Sequence, residues 1–258
     1  MTTPPTASGF RARVLAGEWL AGGWLNLGSA LTAEIAGRAG FDWLLFDYEH
    51  GPGGDETLLH QLHAVSGTAA APMVRIAANE PPRFKRALDL GAHGLMVPYV
   101  NSEAEARAAV ASFRYPPRGI RGVSKFNRAA GFGADFDDYY AHAHERQVLM
   151  AQIETPEAVS AVDAIARVEG VDVLFIGPLD LTCNLGAPGN FDLPAFVDAR
   201  RRVTAAARAA GKAAGILLAN PAHVPVVRAE GFTVVALGSD GGAVSSGLRQ
   251  ILGQLRGS

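Results

Sequence analysis

Short unbroken apolar runs recur along the chain, each followed by a longer amphipathic stretch. Runs of this length that are apolar on both sides suit parallel strands covered on both faces. They predict strands at residues 23–27, 43–47, 72–76, 94–100, 148–153, 173–176, 212–218 and 232–237. The stretches between them predict helices at 32–39, 56–65, 82–90, 102–113, 156–168, 193–210, 221–229 and about 242–255, with a short capping helix at 10–16. Local chemistry marks several boundaries. Gly40 and Gly91 stand where helices stop, prolines open the helix near residue 82, and Ser102 precedes Glu103 and Glu105 as an N-cap with acidic residues in the first turn. Residues 114–146 form the longest stretch without a readable pattern, and a loop of that length in a compact domain is usually functional or disordered.

Strict alternation of strand and helix argues for parallel strands joined by right-handed crossovers. Eight such units in 258 residues match one closed (β/α)8 barrel, with a tail at 1–9 and a single α/β domain at 10–258. Chemistry in this architecture gathers at the C-terminal strand ends. Those ends carry Trp24, then Asp47-Tyr48-Glu49-His50, Arg75, Pro98-Tyr99, Gln152 with Glu154, Gly177-Pro178 with Asp180, Leu217, and Ser239-Asp240.

Glu154 and Asp180 follow successive apolar strands. Either one alone could simply cap a turn or a helix. Together they suit a hard divalent cation that keeps open positions for water or a small oxyacid. His50, flanked by Asp47 and Glu49, is a general-base candidate rather than an ordinary loop histidine. Arg75 ends an apolar strand, where its fork suits a carboxylate or a developing enolate, or else a structural ion pair. Asp89 lies late in a helix against the dipole, which hints at a specific partner. Lys85, Lys125 and Lys212 all miss the strand C-terminal ends, so a Schiff-base mechanism has no lysine to use.

Composition removes other classes. Formal charge is −2 and no basic cluster interleaves with aromatics, so no nucleic-acid partner is expected. The single cysteine, Cys183, allows no internal disulfide and fits a reducing cytoplasm. Apolar runs are strand-length, and Met1 to Gly9 lacks the pattern of a secretory signal, so no membrane association is expected.

The segments GFDWLLFDYEH (40–50), Val74-Arg75, RYPP (114–117) with Arg121-Gly122-Val123, Gln152-Ile153-Glu154, and FIGPLDL (175–181) resemble, in order and spacing, the HpcH/HpaI aldolase family. The resemblance implies a class II, divalent-metal-dependent aldolase (Mg2+, Mn2+ or Co2+). Such an enzyme reversibly cleaves 4-hydroxy-2-oxo acids to pyruvate, or hydroxypyruvate, and an aldehyde through an enolate. It implies Glu154 and Asp180 as metal ligands, His50 as base with Asp47 and Asp89 as candidate partners, and Arg75 as enolate stabiliser. Gln152, Gly177, Pro178, Trp24 and Leu217 would line the substrate site. It also implies a homo-oligomer, commonly a hexamer, with an exchanged C-terminal helix, in which one carboxylate near the base can come from a neighbouring subunit. Tyr48 and Lys125-Phe126-Asn127 depart from the usual family residues near the acceptor side, which leaves the aldehyde open. The rival readings are an acyl-CoA lyase of the malyl- or citramalyl-CoA type and a non-catalytic metabolite-binding barrel.

Overall fold

The computed structural model describes residues 9–257; the predicted tail lies almost wholly outside them. Eight parallel strands pair in sequence order and close on themselves. They are β1 (Leu20–Leu25), β2 (Trp43–Asp47), β3 (Ala71–Arg75), β4 (Gly94–Val97), β5 (Val148–Ile153), β6 (Val173–Ile176), β7 (Ala213–Leu218) and β8 (Val234–Leu237). The helices are α1 (Phe10–Leu15), α2 (Ala30–Ala39), α3 (Asp55–Ala64), α4 (Pro81–Asp89), α5 (Glu103–Phe113), α6 (Phe136–Arg146), α7 (Pro156–Ala166), α8 (Pro178–Asn184), α9 (Pro194–Ala209), α10 (Val224–Glu230) and α11 (Asp240–Arg256). Ser29, Ser102 and Thr155 cap α2, α5 and α7 by accepting from backbone N–H groups, which satisfies donors the helix cannot. Among the described residues no helix is long and apolar enough to cross a membrane.

Successive strand residues point to opposite faces, and this divides the apolar residues into two sets. Leu44, Phe46, Val74, Leu95, Leu149, Leu174 and Ile216 face outward into the layer between strands and helices. Trp24, Trp43, Leu45, Met73, Met96, Met150 and Phe175 fill the barrel interior. Large rings there need bare neighbours. A methyl group at Gly22 would collide with Trp43, one at Gly94 with Met73, and one at Gly215 with Phe175.

The N-terminal end of the barrel is closed by α1, whose Phe10 and Val14 join the interior cluster. Arg11 fixes the plug by donating to Asp172 Oδ1 at 3.1 and 2.8 Å. The other Asp172 oxygen accepts from Leu149 N at 3.0 Å, so the plug is tied to the start of β5.

Three expectations need correction. The first strand begins at Leu20 and ends at Leu25, because Gly22 and Gly23 thin its apolar run where Trp43 needs space. The stretch 114–146 is not wholly irregular. It holds a 3-10 segment at Arg128–Gly133 and the helix α6, which buries only Ala143 and so shows no apolar stripe. Asp180 does not end a strand: β6 stops at Ile176, and Asp180 lies in the first turn of α8, opened by Pro178.

His93 sits just before β4, its backbone bonded to Pro72 O and Val148 N. Burial, helped by the charge of Arg128, pulls its imidazole down to about 4. The unfolded chain, with a histidine near 6.5, binds more protons between these values, so stability falls as pH drops from about 6.5 towards 4, by up to roughly 3 kcal/mol. Urea unfolding at pH 7 and pH 5 should show this slope in the native chain and a shallower one in His93→Gln.

Candidate active site

The inward alternation of the strands carries a set of polar groups to the C-terminal mouth. Asp47 and Arg75 face each other in register across β2 and β3. Arg75 donates from Nε to Asp47 Oδ1 at 3.0 Å and from Nη2 to Oδ2 at 2.6 Å. Its Nη1 lies 2.8 Å from Glu49 Oε2, in charge contact without an aligned hydrogen bond. The guanidinium also lies over the Trp24 ring, 4.8 Å from the centroid, a favourable cation–π placement.

Asp47 is saturated. Besides Arg75 it accepts from Trp24 Nε1 at 3.2 Å and from the backbone N–H groups of Glu49 and His50 at 3.1 and 3.2 Å. Burial acts to raise its pKa, but Arg75, the His50 N–H and Trp24 together hold it below the usual carboxylate range. Asp47 therefore fixes the backbone that presents His50, not the imidazole ring. The His50 side chain is exposed.

Glu154 has the opposite electrostatics. It is 1 % exposed and stands one residue past β5. Oε1 accepts from Tyr99 N at 2.8 Å, and Oε2 accepts from Gln152 Nε2. Burial pushes its carboxyl up to about 8; the Tyr99 N–H opposes this, while the charges of Asp180 and Glu49 add to it. Glu49 is likewise raised, by burial above all, with Arg75 opposing. Asp180, in the first turn of α8, is partly buried. Gly177 leaves room for this cluster, because a Cβ there would meet the Glu154 carboxylate and, at 2.7 Å, the Gln152 amide.

These residues fit a hard divalent cation. A carboxylate has about four lone-pair sites, and the Glu154 hydrogen bonds leave the remainder free. A positive charge would offset the crowding of Glu154, Asp180 and Glu49. Gln152 Oε1 is buried with no hydrogen-bond partner among the described residues, an unmet acceptor beside the carboxylates. Among the described residues no group of three or more His, Cys, Asp or Glu gathers as a closed metal cage. A cation held by two carboxylates keeps most positions for water and substrate.

Trp24 and Leu217 pack with the interior cluster below these polar groups, and Pro178 is buried at the head of α8. Asp89 lies elsewhere in the single chain. It ends α4, which returns to the opposite end of the barrel, and its Oδ1 accepts from Arg121 Nη2 at 2.7 Å. Two features of the mouth were not read from sequence as parts of the site: the Glu49 contact to Arg75 and the Tyr99 N–H on Glu154. The first could have been sought in the spacing of Asp47 and Glu49 on one inward row; the second depends on backbone conformation and leaves no mark in residue type.

The sequence and architecture have close counterparts. The pattern of the HpcH/HpaI aldolase/citrate lyase family matches residues 20–246. The 5-keto-4-deoxy-D-glucarate aldolase of Salmonella paratyphi C is 43% identical over 242 residues, 94% of each chain. A crystal structure of an HpcH/HpaI aldolase/citrate lyase family protein from Burkholderia cenocepacia superposes with a TM-score of 0.92 at 37% identity, covering 96% of this chain and 99% of that one. An HpcH/HpaI aldolase from Desulfitobacterium hafniense gives 0.88 at 27% identity, covering 95% and 96%. The chain belongs to the HpcH/HpaI aldolase/citrate lyase family.

Proposed function

We propose that this protein is a divalent-metal-dependent class II aldolase that reversibly cleaves 4-hydroxy-2-oxo acids to pyruvate, or hydroxypyruvate, and an aldehyde. The 43% identity to 5-keto-4-deoxy-D-glucarate aldolases favours a hydroxylated sugar-acid substrate of that kind. One observation carries the reading. A buried carboxylate, Glu154, is crowded by Asp180 and Glu49 at the same mouth where Arg75 presents a guanidinium.

In this mechanism Glu154 and Asp180 hold Mg2+, Mn2+ or Co2+. Such an ion supplies Lewis acidity to a 2-oxo acid. Gln152, Trp24, Leu217, Gly177 and Pro178 shape the donor pocket, and the apolar members exclude water. Arg75 contributes preorganised positive charge where the enolate oxygen develops. Held already by Asp47, its fork needs little reorganisation as the reaction proceeds. His50, on a backbone anchored by Asp47, takes the 4-hydroxyl proton during cleavage and returns it during condensation. Asp89 is assigned as a partner of His50 only across a subunit boundary, since within one chain it pairs with Arg121.

A homo-oligomer, a hexamer by family resemblance, fits the surface of α11. That helix buries none of its residues in the chain. Val244, Leu248, Ile251, Leu252 and Leu255 form an exposed stripe on it, near exposed Leu31 and Ile35 of α2. Such a patch marks an association surface, consistent with exchange of α11 between subunits. The single free cysteine fits a cytoplasmic setting.

Deuterium exchange into the pyruvate methyl group tests the reading without knowledge of the aldehyde. After chelation, exchange should depend on added Mg2+ or Mn2+, and Glu154→Gln should lose that dependence. No exchange with any of these ions would sink the pyruvate aldolase assignment. His50→Ala should lower kcat by about 10² to 10⁴ while retaining metal. Arg75→Lys should lower kcat/KM about 10²-fold, because a point charge cannot replace the fork; turnover near that of the native chain would remove either residue from its role. Leu252→Asp should shift sedimentation towards smaller species, and an unchanged profile would take α11 out of the assembly.

A further inference from the structure

The segment after β4 presents an aromatic side chain whose placement the proposed reaction does not yet use. Pro98 is buried, and the next residue, Tyr99, adopts φ +50. Only Phe132 shares a positive φ among the described non-glycine residues. For a bulky side chain this is a true outlier, of the kind that persists only where its surroundings enforce it.

The surroundings here are three successive bonds to the end of β5. Tyr99 N donates to Glu154 Oε1 at 2.8 Å, and Val100 N donates to Gln152 O at 3.3 Å. Asn101 Oδ1 accepts from Thr155 Oγ1 at 2.6 Å. Glycine would take the same backbone without strain. The bonds thus account for the kink but not for a phenol at that position.

The kink removes the side chain from the alternation of β4. It belongs to neither apolar cluster and is 46% exposed. Among the described residues the hydroxyl has no hydrogen-bond partner, although Asp180, Glu154, Glu49 and Arg75 all act on it by charge. A phenol whose backbone is tied to Glu154 at the mouth, and whose oxygen is free among the described residues, is arranged to meet a ligand.

We propose that the Tyr99 hydroxyl binds the aldehyde half of the substrate, through a hydrogen bond to a hydroxyl beside its carbonyl, and so selects hydroxylated over plain aldehydes. The assignment rests on the aldolase reading. A neutral hydroxyl is the favoured partner. The charged groups that act on the phenol already have partners, Glu49 in Arg75 and Glu154 with Asp180 in the proposed cation, which leaves the phenol to pair with an uncharged group. The phenol can both donate and accept, so it serves either orientation of the substrate group.

Condensation of pyruvate with glycolaldehyde and with propanal tests this, since the two aldehydes differ by hydroxyl against methyl at nearly equal size. Tyr99→Phe should lower the ratio of kcat/KM for glycolaldehyde to that for propanal about tenfold, the scale of one lost hydrogen bond to the substrate. Tyr99→Gly, which relieves the backbone and removes the ring, should lower the same ratio at least as far. A ratio within twofold of the native value in either variant overturns the proposal and leaves Tyr99 a rim residue. Pyruvate methyl exchange by the native enzyme separates the two levels. Without exchange, the aldolase reading and the Tyr99 assignment fall together; with exchange and an unaltered ratio, only the Tyr99 assignment falls.

Discussion

A guanidinium buried between two carboxylates organises the mouth of this barrel. Arg75 is only 5% exposed, and burial of a charge is tolerable only when it is paired and hydrogen-bonded. Asp47 and Glu49 provide the charge, and Trp24 provides a π face. The pair joins β2 to β3, reaches β1 through the Trp24 indole, and sets the turn carrying His50 through backbone N–H groups. Removing one member would strand a buried charge, which typically costs about 3–5 kcal/mol. This contact holds both the Arg75 fork and the turn carrying His50 in place.

Across the mouth the balance is reversed. Glu154 is as buried as Arg75 but lies among acids, and its only donors among the described residues are an amide side chain and one backbone N–H. The one guanidinium offsets only part of the charge of Asp47 and Glu49, and among the described residues no cationic side chain forms an ion pair with Glu154. The opening thus carries excess negative charge around Glu154 and Asp180, which favours a cation on the β5–β6 side.

Much of this could be read from residue order. Strands β2, β5 and β6 announce themselves as apolar runs because both their faces are covered, and the acidic and basic residues that follow them stand out against those runs. Strand β1 begins three residues before its apolar run suggests and ends two residues earlier, because the glycines that make room for Trp43 erase its pattern. Helix α6 escaped notice for lack of an apolar face, with one buried residue in eleven. The work of Asp47 was half legible: its proximity to Arg75 follows from strand register, but its grip on the His50 backbone depends on a turn conformation. Asp89 illustrates the converse. Its awkward place at a helix end correctly suggested a partner, yet in the chain that partner is Arg121, on a loop whose path no local pattern foretells.

The filling of the barrel has a consequence for traffic. Trp43, Met73, Met150 and Phe175 occupy the interior, and Phe10 and Val14 of α1 seat against the same cluster, so the interior is a packed core and not a channel. Trp24 and Gln152 are nearly inaccessible, at 6% and 1% exposure, whereas the side chains of His50 and Tyr99 are exposed. Any molecule that reaches the mouth must therefore enter and leave by the same face, past the exposed side chains at the C-terminal ends of the strands.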